Sequence, residues 1–132
     1  MRIDFHEFAS LLKQLRPDAA ETQHEVISIA IDALTLTFVH APDDPDCVLM
    51  RTRVLKLADL AHPGEFAKAA LSGNFLWHAT RGARLSVGSD DAVYLTESRP
   101  LDELSDAESI VAAIDDFVAT VTDWQIRSRL YA

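Results

Sequence analysis

Apolar positions along this chain recur at two spacings, and the changes from one to the other mark out its elements. Between Asp4 and Leu15 the residues Phe5, Phe8, Leu12 and Leu15 return at helical intervals, and Asp4 with Glu7 makes a cap-like pair at the start. Arg16-Pro17-Asp18 ends this first helix, because proline brings no backbone donor and restricts the residue before it. Residues 17–24 are polar and read as loop. From Val26 to His40 the period drops to two. With a two-residue connection at Asp32-Ala33, Ile31 faces Leu34, Ile29 faces Leu36 and Ile27 faces Phe38. All six then fall on one side, with Ser28, Thr35 and Thr37 on the other, which predicts a β-hairpin. Asp-Ala is a poor type I′ pair, so a longer loop is the alternative.

The prolines and aspartates of residues 41–46, APDDPD, predict a loop. Cys47 to Leu57 reads as a strand of mixed faces: Leu49, Leu55 and Leu57 share a parity with Arg51 and Arg53, while Val48, Met50 and Val54 take the other. Such a strand is either buried twice or offers one face to something else. Pro63 and Glu65 suit the first turn of a second helix running to about Trp77, with Phe66, Ala69, Ala70, Leu71, Phe75 and Trp77 as its apolar surface. Gly73 within it costs about 1 kcal/mol relative to alanine and points to a kink or a close helix contact. ARLSVG and VYLTES around Asp90-Asp91 predict a second hairpin, since aspartate bonds its own backbone in turns. After the proline-led turn RPLDEL, Ser105 and Glu108 form a capping box. Ile110, Ile114, Phe117, Val121 and Trp124 then make one helical stripe, widened by Val111 and Val118, and the helix frays near Arg127. The order is α-β-β-β-α-β-β-α.

A chain of 132 residues suits a single domain over 1–132, with no apolar run of bilayer length and no signal-like apolar stretch in MRIDFHEF. Cys47 is the only cysteine, so an internal disulfide is excluded, which fits a reducing compartment. A net charge of −9 argues against a general nucleic-acid binder, because phosphate recognition needs a basic surface. Between Ser89 and Asp123 acidic residues abound, and Arg99 is the sole base in that sequence. The acids form either a solvated face or one that steers a basic partner segment.

Candidate chemistry is sparse. The five histidines, His6, His24, His40, His62 and His78, lie 16 to 22 residues apart without a metal-binding pair, and read as scattered surface or core residues. Asp43, Asp44 and Asp46 lack the glycine and bidentate glutamate of a calcium loop. Phosphate-cradle and nucleophile-elbow motifs are missing, and four glycines leave little material for a cradle. The expectation is a protein that is not an enzyme and uses no metal or cofactor.

These elements together resemble the class I type III secretion chaperones, the family that includes the Tir chaperone. The passage ALSGNFLWHATRGARLSVG is similar to that family's helix end, small-residue turn and strand; VYLTES, PLDEL and an acidic helix reaching Trp124 follow. Arg99 and the glycine-free first turn depart from the family's habit. The resemblance implies an α+β fold with a twisted antiparallel sheet packed by helices. It also implies a cytoplasmic, homodimeric, ATP-independent chaperone that binds the N-terminal region of a secreted effector in extended form, without nucleic acid or membrane insertion.

The family's use of the second helix as dimer contact nominates Phe66, Ala70, Phe75 and Trp77, the alternative being that these face their own core. Its apolar client patches nominate Phe5, Phe8, Val39, Leu49, Met50 and Val54, although Phe5 and Phe8 also suit a core. Met50 fits an adaptable surface because thioether side chains repack easily. A competing reading is a non-enzymatic adaptor of the same fold that binds a folded protein.

Overall fold

A computed structural model describes residues 3–132, the side chain of His78 excepted. The helices are α1 (Phe5–Leu15), α2 (Pro63–Phe75) and α3 (Ala107–Ser128). The strands are β1 (Ala20–Gln23), β2 (Val26–Ile31), β3 (Leu34–Val39), β4 (Cys47–Lys56), β5 (Arg84–Val87) and β6 (Ala92–Pro100). They form a six-stranded sheet in the order β1-β2-β3-β4-β6-β5, so the fold is α+β as expected. The chain clusters into two compact units, one up to Thr52 together with Ser98–Asp115, the other Arg53–Glu97 with Asp116–Ala132.

In the first unit α1 starts where the sequence places it: Asp4 is extended, and its Oδ1 accepts the Glu7 backbone N–H at 2.8 Å. The β2–β3 hairpin has the expected register, with Ile31 opposite Leu34, Ile29 opposite Leu36 and Ile27 opposite Phe38. Asp32 makes the two-residue turn possible by taking a left-handed φ of 53°, a conformation aspartate tolerates better than most residues. Ile27, Ile29, Leu36 and Phe38 are buried together with Phe8 and Leu12 of α1, and the Phe8 and Phe38 rings lie 5.3 Å apart. Residues 17–24 are not all loop, because β1 lies within them. All four of its residues are exposed and backbone pairing to β2 holds it, which is why no side-chain period reveals it.

Two expectations for α3 shift. Ser105 is not the cap: the turn Leu101–Leu104 carries Ser105 into a helical conformation, and Asp106 Oδ1 accepts the Ser109 N–H at 2.8 Å instead. Val111 is exposed, since it sits about 100° round the helix from buried Ile110. The stripe itself stands, with Ile110, Ile114, Phe117, Val121 and Trp124 all buried.

In the second unit the β5–β6 hairpin pairs Leu85 with Leu95 and Val87 with Val93. Its turn is closed by Asp90, which accepts from the Ala92 N–H and from the Tyr94 hydroxyl. That hydroxyl, with the Ala92 N–H, holds the Asp90 carboxyl below its usual range. Gly73 marks a close helix contact. A Cβ there would lie 2.5 Å from Trp124 Cζ2 and 2.7 Å from Cη2. Trp124 also meets the Phe66 ring edge-on at 6.1 Å and donates its Nε1–H to the Ala79 carbonyl at 3.2 Å.

Gly73→Ala is therefore expected to destabilise the fold by about 1–3 kcal/mol through overpacking, although alanine is the better helix former. Urea unfolding of the two proteins checks this; equal or higher stability for the variant would place the tryptophan elsewhere.

Candidate functional site

The unit that carries α1 offers an apolar rung on the sheet face opposite its core. In β4, Val48, Met50, Thr52 and Val54 are buried, while Leu49 and Leu55 are half-exposed and Arg51 and Arg53 exposed. The mixed strand thus covers one face and leaves the other part-open. Leu49 lies opposite Val39, and Val39 opposite Val26, so Val26, Val39 and Leu49 form one ladder across three strands. All three are half-buried. The next rung is polar: Ser28 hydrogen-bonds Thr37 at 3.0 Å, and Arg51 lies opposite Thr37.

Of the residues nominated for the client, Val39 and Leu49 meet here. Phe5, Phe8, Met50 and Val54 do not; each is at most 6% exposed. Phe5 and Phe8 occupy the inward face of α1, and the even positions of β4 point to the covered side. Val26 was not nominated, because only its pairing with Val39 puts it on this face.

The unit that carries α2 presents a larger and more aromatic surface. Phe66, Ala70 and Gly73 form the buried stripe of α2, stepping by four and three. Phe66 is accordingly core rather than dimer surface, fully buried against Trp124 and Tyr131. Ala70 is 8% exposed and lines a small pocket of about 100 Å³ with Leu71, Leu85 and Val87. Leu71 and Phe75 lie one turn apart on the other side at 69% and 85% exposure, and Trp77 follows at 67%. These three border an open cleft of about 610 Å³ with Asn74, Ala83 and Arg84. The nominated Phe75 and Trp77 thus share a face with the edge of β5. That edge is closed at one point: the Asn74 amide donates to the Leu85 carbonyl at 2.7 Å and its oxygen accepts the Leu85 N–H at 2.8 Å.

Polar chemistry is confined to small networks. Asp102, Glu103, Asp106, Glu108 and Asp115 are exposed, as in a solvated face. Among the described residues no three or more His, Cys, Asp or Glu side chains come together as a metal-binding group. His6, His24 and His62 are exposed, and the His78 side chain lies outside the described residues. No helix among the described residues is long and apolar enough to cross a membrane.

His40 is the half-buried exception, its side chain 13% exposed and its ring stacked 5.1 Å from that of Phe5. Its Nε2 meets the Pro45 carbonyl at 2.8 Å and its Nδ1 the Glu25 carboxylate at 3.1 Å. The Pro45 carbonyl accepts from Nε2–H, whereas the buried Nδ1 makes no well-formed hydrogen bond and gains the Glu25 carboxylate only as an ion pair when the ring is protonated. Burial pulls the His40 pKa down, but the Pro45 carbonyl and the Glu25 and Asp4 carboxylates outweigh it, and the net shift is upward from 6.5.

A model of the Tir chaperone protein (CesT) family matches residues 5–125. The chain is similar in fold to a solved ExsC–ExsE complex chain, at 16% identity, with 97% of each chain covered and a TM-score of 0.75. It is also similar to a chain of the HopA1–SchA chaperone–effector complex, at 16% identity, with 96% of this chain and 98% of that one covered and a TM-score of 0.62. No curated protein matches the chain.

Because His40 titrates higher in the folded chain than its ordinary value, its stabilising contribution is complete below about pH 6.5 and is withdrawn as pH rises through the raised value. Stability, read as the urea midpoint from pH 6 upward, is expected to fall in wild type and to stay flatter in His40→Gln. Parallel pH curves for the two proteins would remove His40 from the account.

Proposed function

The chain belongs to the Tir chaperone protein family, and on that premise we propose that it is a type III secretion chaperone acting by binding rather than catalysis. It works in the cytoplasm without ATP, as a homodimer, and holds the N-terminal region of a secreted effector in extended form. The observation that carries this reading is the half-buried rung Val26–Val39–Leu49 beside the exposed strand β1.

An extended segment needs two things from a chaperone: backbone partners, and shallow apolar seats for alternate side chains. The strand β1 ends the sheet and pairs Gln23 with Val26, so the rung begins next to that edge. The opposite edge, β5, has the backbone groups of Leu85 already bonded to Asn74 and is less suited to accept a strand. Dimerisation falls to the α2 face. Exposed Phe75 and Trp77 would each bury a large aromatic surface, worth about 1.5–3 kcal/mol apiece. A two-fold axis sets such a patch against its own copy. The acidic residues of α3 and the turn before it keep the client complex soluble and favour basic client segments.

Affinity capture from the encoding bacterium, followed by limited proteolysis, tests this. The expected catch is a large protein protected only over an N-terminal stretch, reduced about tenfold or more by Val39→Asp with Leu49→Asp while circular dichroism stays unchanged. Capture of intact folded partners, indifferent to these substitutions, would favour the adaptor reading instead.

A further inference from the structure

One of the two exposed aromatics of the α2 face is displayed by an unusual piece of backbone. Trp77 is not glycine, yet it sits at a φ of +28°, in the region that bulky residues avoid. Something must hold it there. Its carbonyl is the acceptor for three donors at once: the Thr80 N–H at 3.1 Å, the Gly82 N–H at 3.1 Å and the Thr80 hydroxyl at 2.8 Å. Thr80 is completely buried, and it passes the anchor on by accepting the Ala83 N–H at 3.0 Å. The turn is tied down from α3 as well, because the Trp124 indole donates to the Ala79 carbonyl. Arg81 donates to Thr120 at 2.9 Å and pairs with Asp123 at 2.8 Å. A thoroughly bonded turn anchored on buried Thr80 thus begins at a tryptophan that is 67% exposed on the rim of the cleft.

We propose that Thr80 is the positioning residue of the self-association face. Its N–H and hydroxyl fix the Trp77 carbonyl, and with it the left-handed turn that holds the indole ready for the second copy. This rests on the reading of the α2 face as the dimer contact. Preorganisation matters there because each aromatic side chain ordered only on association lowers affinity. Valine has the shape of threonine but lacks the hydroxyl donor; serine keeps the donor and lacks the methyl.

Sedimentation of dilution series of wild type, Thr80→Val, Thr80→Ser, Trp77→Ala and the Thr80→Val/Trp77→Ala double variant tests the proposal. Circular dichroism and urea midpoints monitor the fold. Thr80→Val is expected to keep the fold and raise the dimer dissociation constant about tenfold, with Thr80→Ser close to wild type. Trp77→Ala is expected to weaken the dimer at least as much, and the double variant no further, because Thr80 acts through Trp77. A dimer weakened by Trp77→Ala but untouched by Thr80→Val overturns the positioning role and leaves the dimer reading intact. Additive losses overturn it too, since Thr80 would then act elsewhere on the face. A monomeric wild type overturns both.

Discussion

The unit built on α2 depends on the Trp124 ring lying against Gly73. Any side chain at that position would meet the indole well inside van der Waals distance, so the approach exists only because residue 73 has no Cβ. The buried stripe of α2 accordingly shrinks along its length, from Phe66 to Ala70 to Gly73, as the helix nears the tryptophan. The ring is served from every side: Phe66 meets it edge-on, the Ala79 carbonyl takes its N–H, and the Arg127 guanidinium lies 4.6 Å above it. With the inward stripe taken by Phe66, Ala70 and Gly73, the helix has only its outer face left for Leu71 and Phe75. One contact thus fixes both what the unit buries and what it offers.

The other unit obeys a simpler constraint, the two-residue period of strands. Once Ile27, Ile29, Leu36 and Phe38 are committed to α1, the alternate residues are committed to the far face. Ser28, Thr35 and Thr37 are polar, and the Ser28 and Thr37 hydroxyls bond each other. Val26, Val39 and Leu49 are apolar, and register alone brings them into line. His40 belongs to the inward series of β3, and its ring is held between Phe5, Glu25 and Pro45.

Periodicity in the sequence reaches as far as side chains carry the pattern. The first hairpin could be read down to its register because six apolar residues agree on one face, and α3 because five of its residues keep one stripe. β1 escaped because AETQ has only the small, exposed Ala20 as an apolar residue and is placed by backbone pairing. The cap at Asp106 escaped because the preceding turn, with Leu101 and Leu104 buried, absorbs Ser105. For the candidate sites, residue type alone could not separate Phe66 from Phe75. One packs on a tryptophan 58 positions away in the chain, as 124 − 66 gives, and the other meets solvent. Met50 and Leu49 pose the same problem one residue apart, and only knowledge of which strand face α1 covers resolves it. The His40 cluster has no local signature, since its partners come from three separate stretches.

The two candidate surfaces differ in a way that suits two kinds of partner. Phe75 and Trp77 are large, close together and, at Trp77, held by a bonded turn, which favours a contact formed once and kept. The rung on the other unit is made of two valines and a leucine, each already half-buried, with hydroxyls and an arginine on the next rung. Such a rung supplies modest apolar area and little shape selectivity, so affinity for an extended client would come largely from backbone bonds at the sheet edge. Backbone bonding is tolerant of sequence and can be broken strand by strand. Under the proposed function, a chaperone that must let its client go would keep the aromatic surface for a second copy and meet the client with valine and leucine.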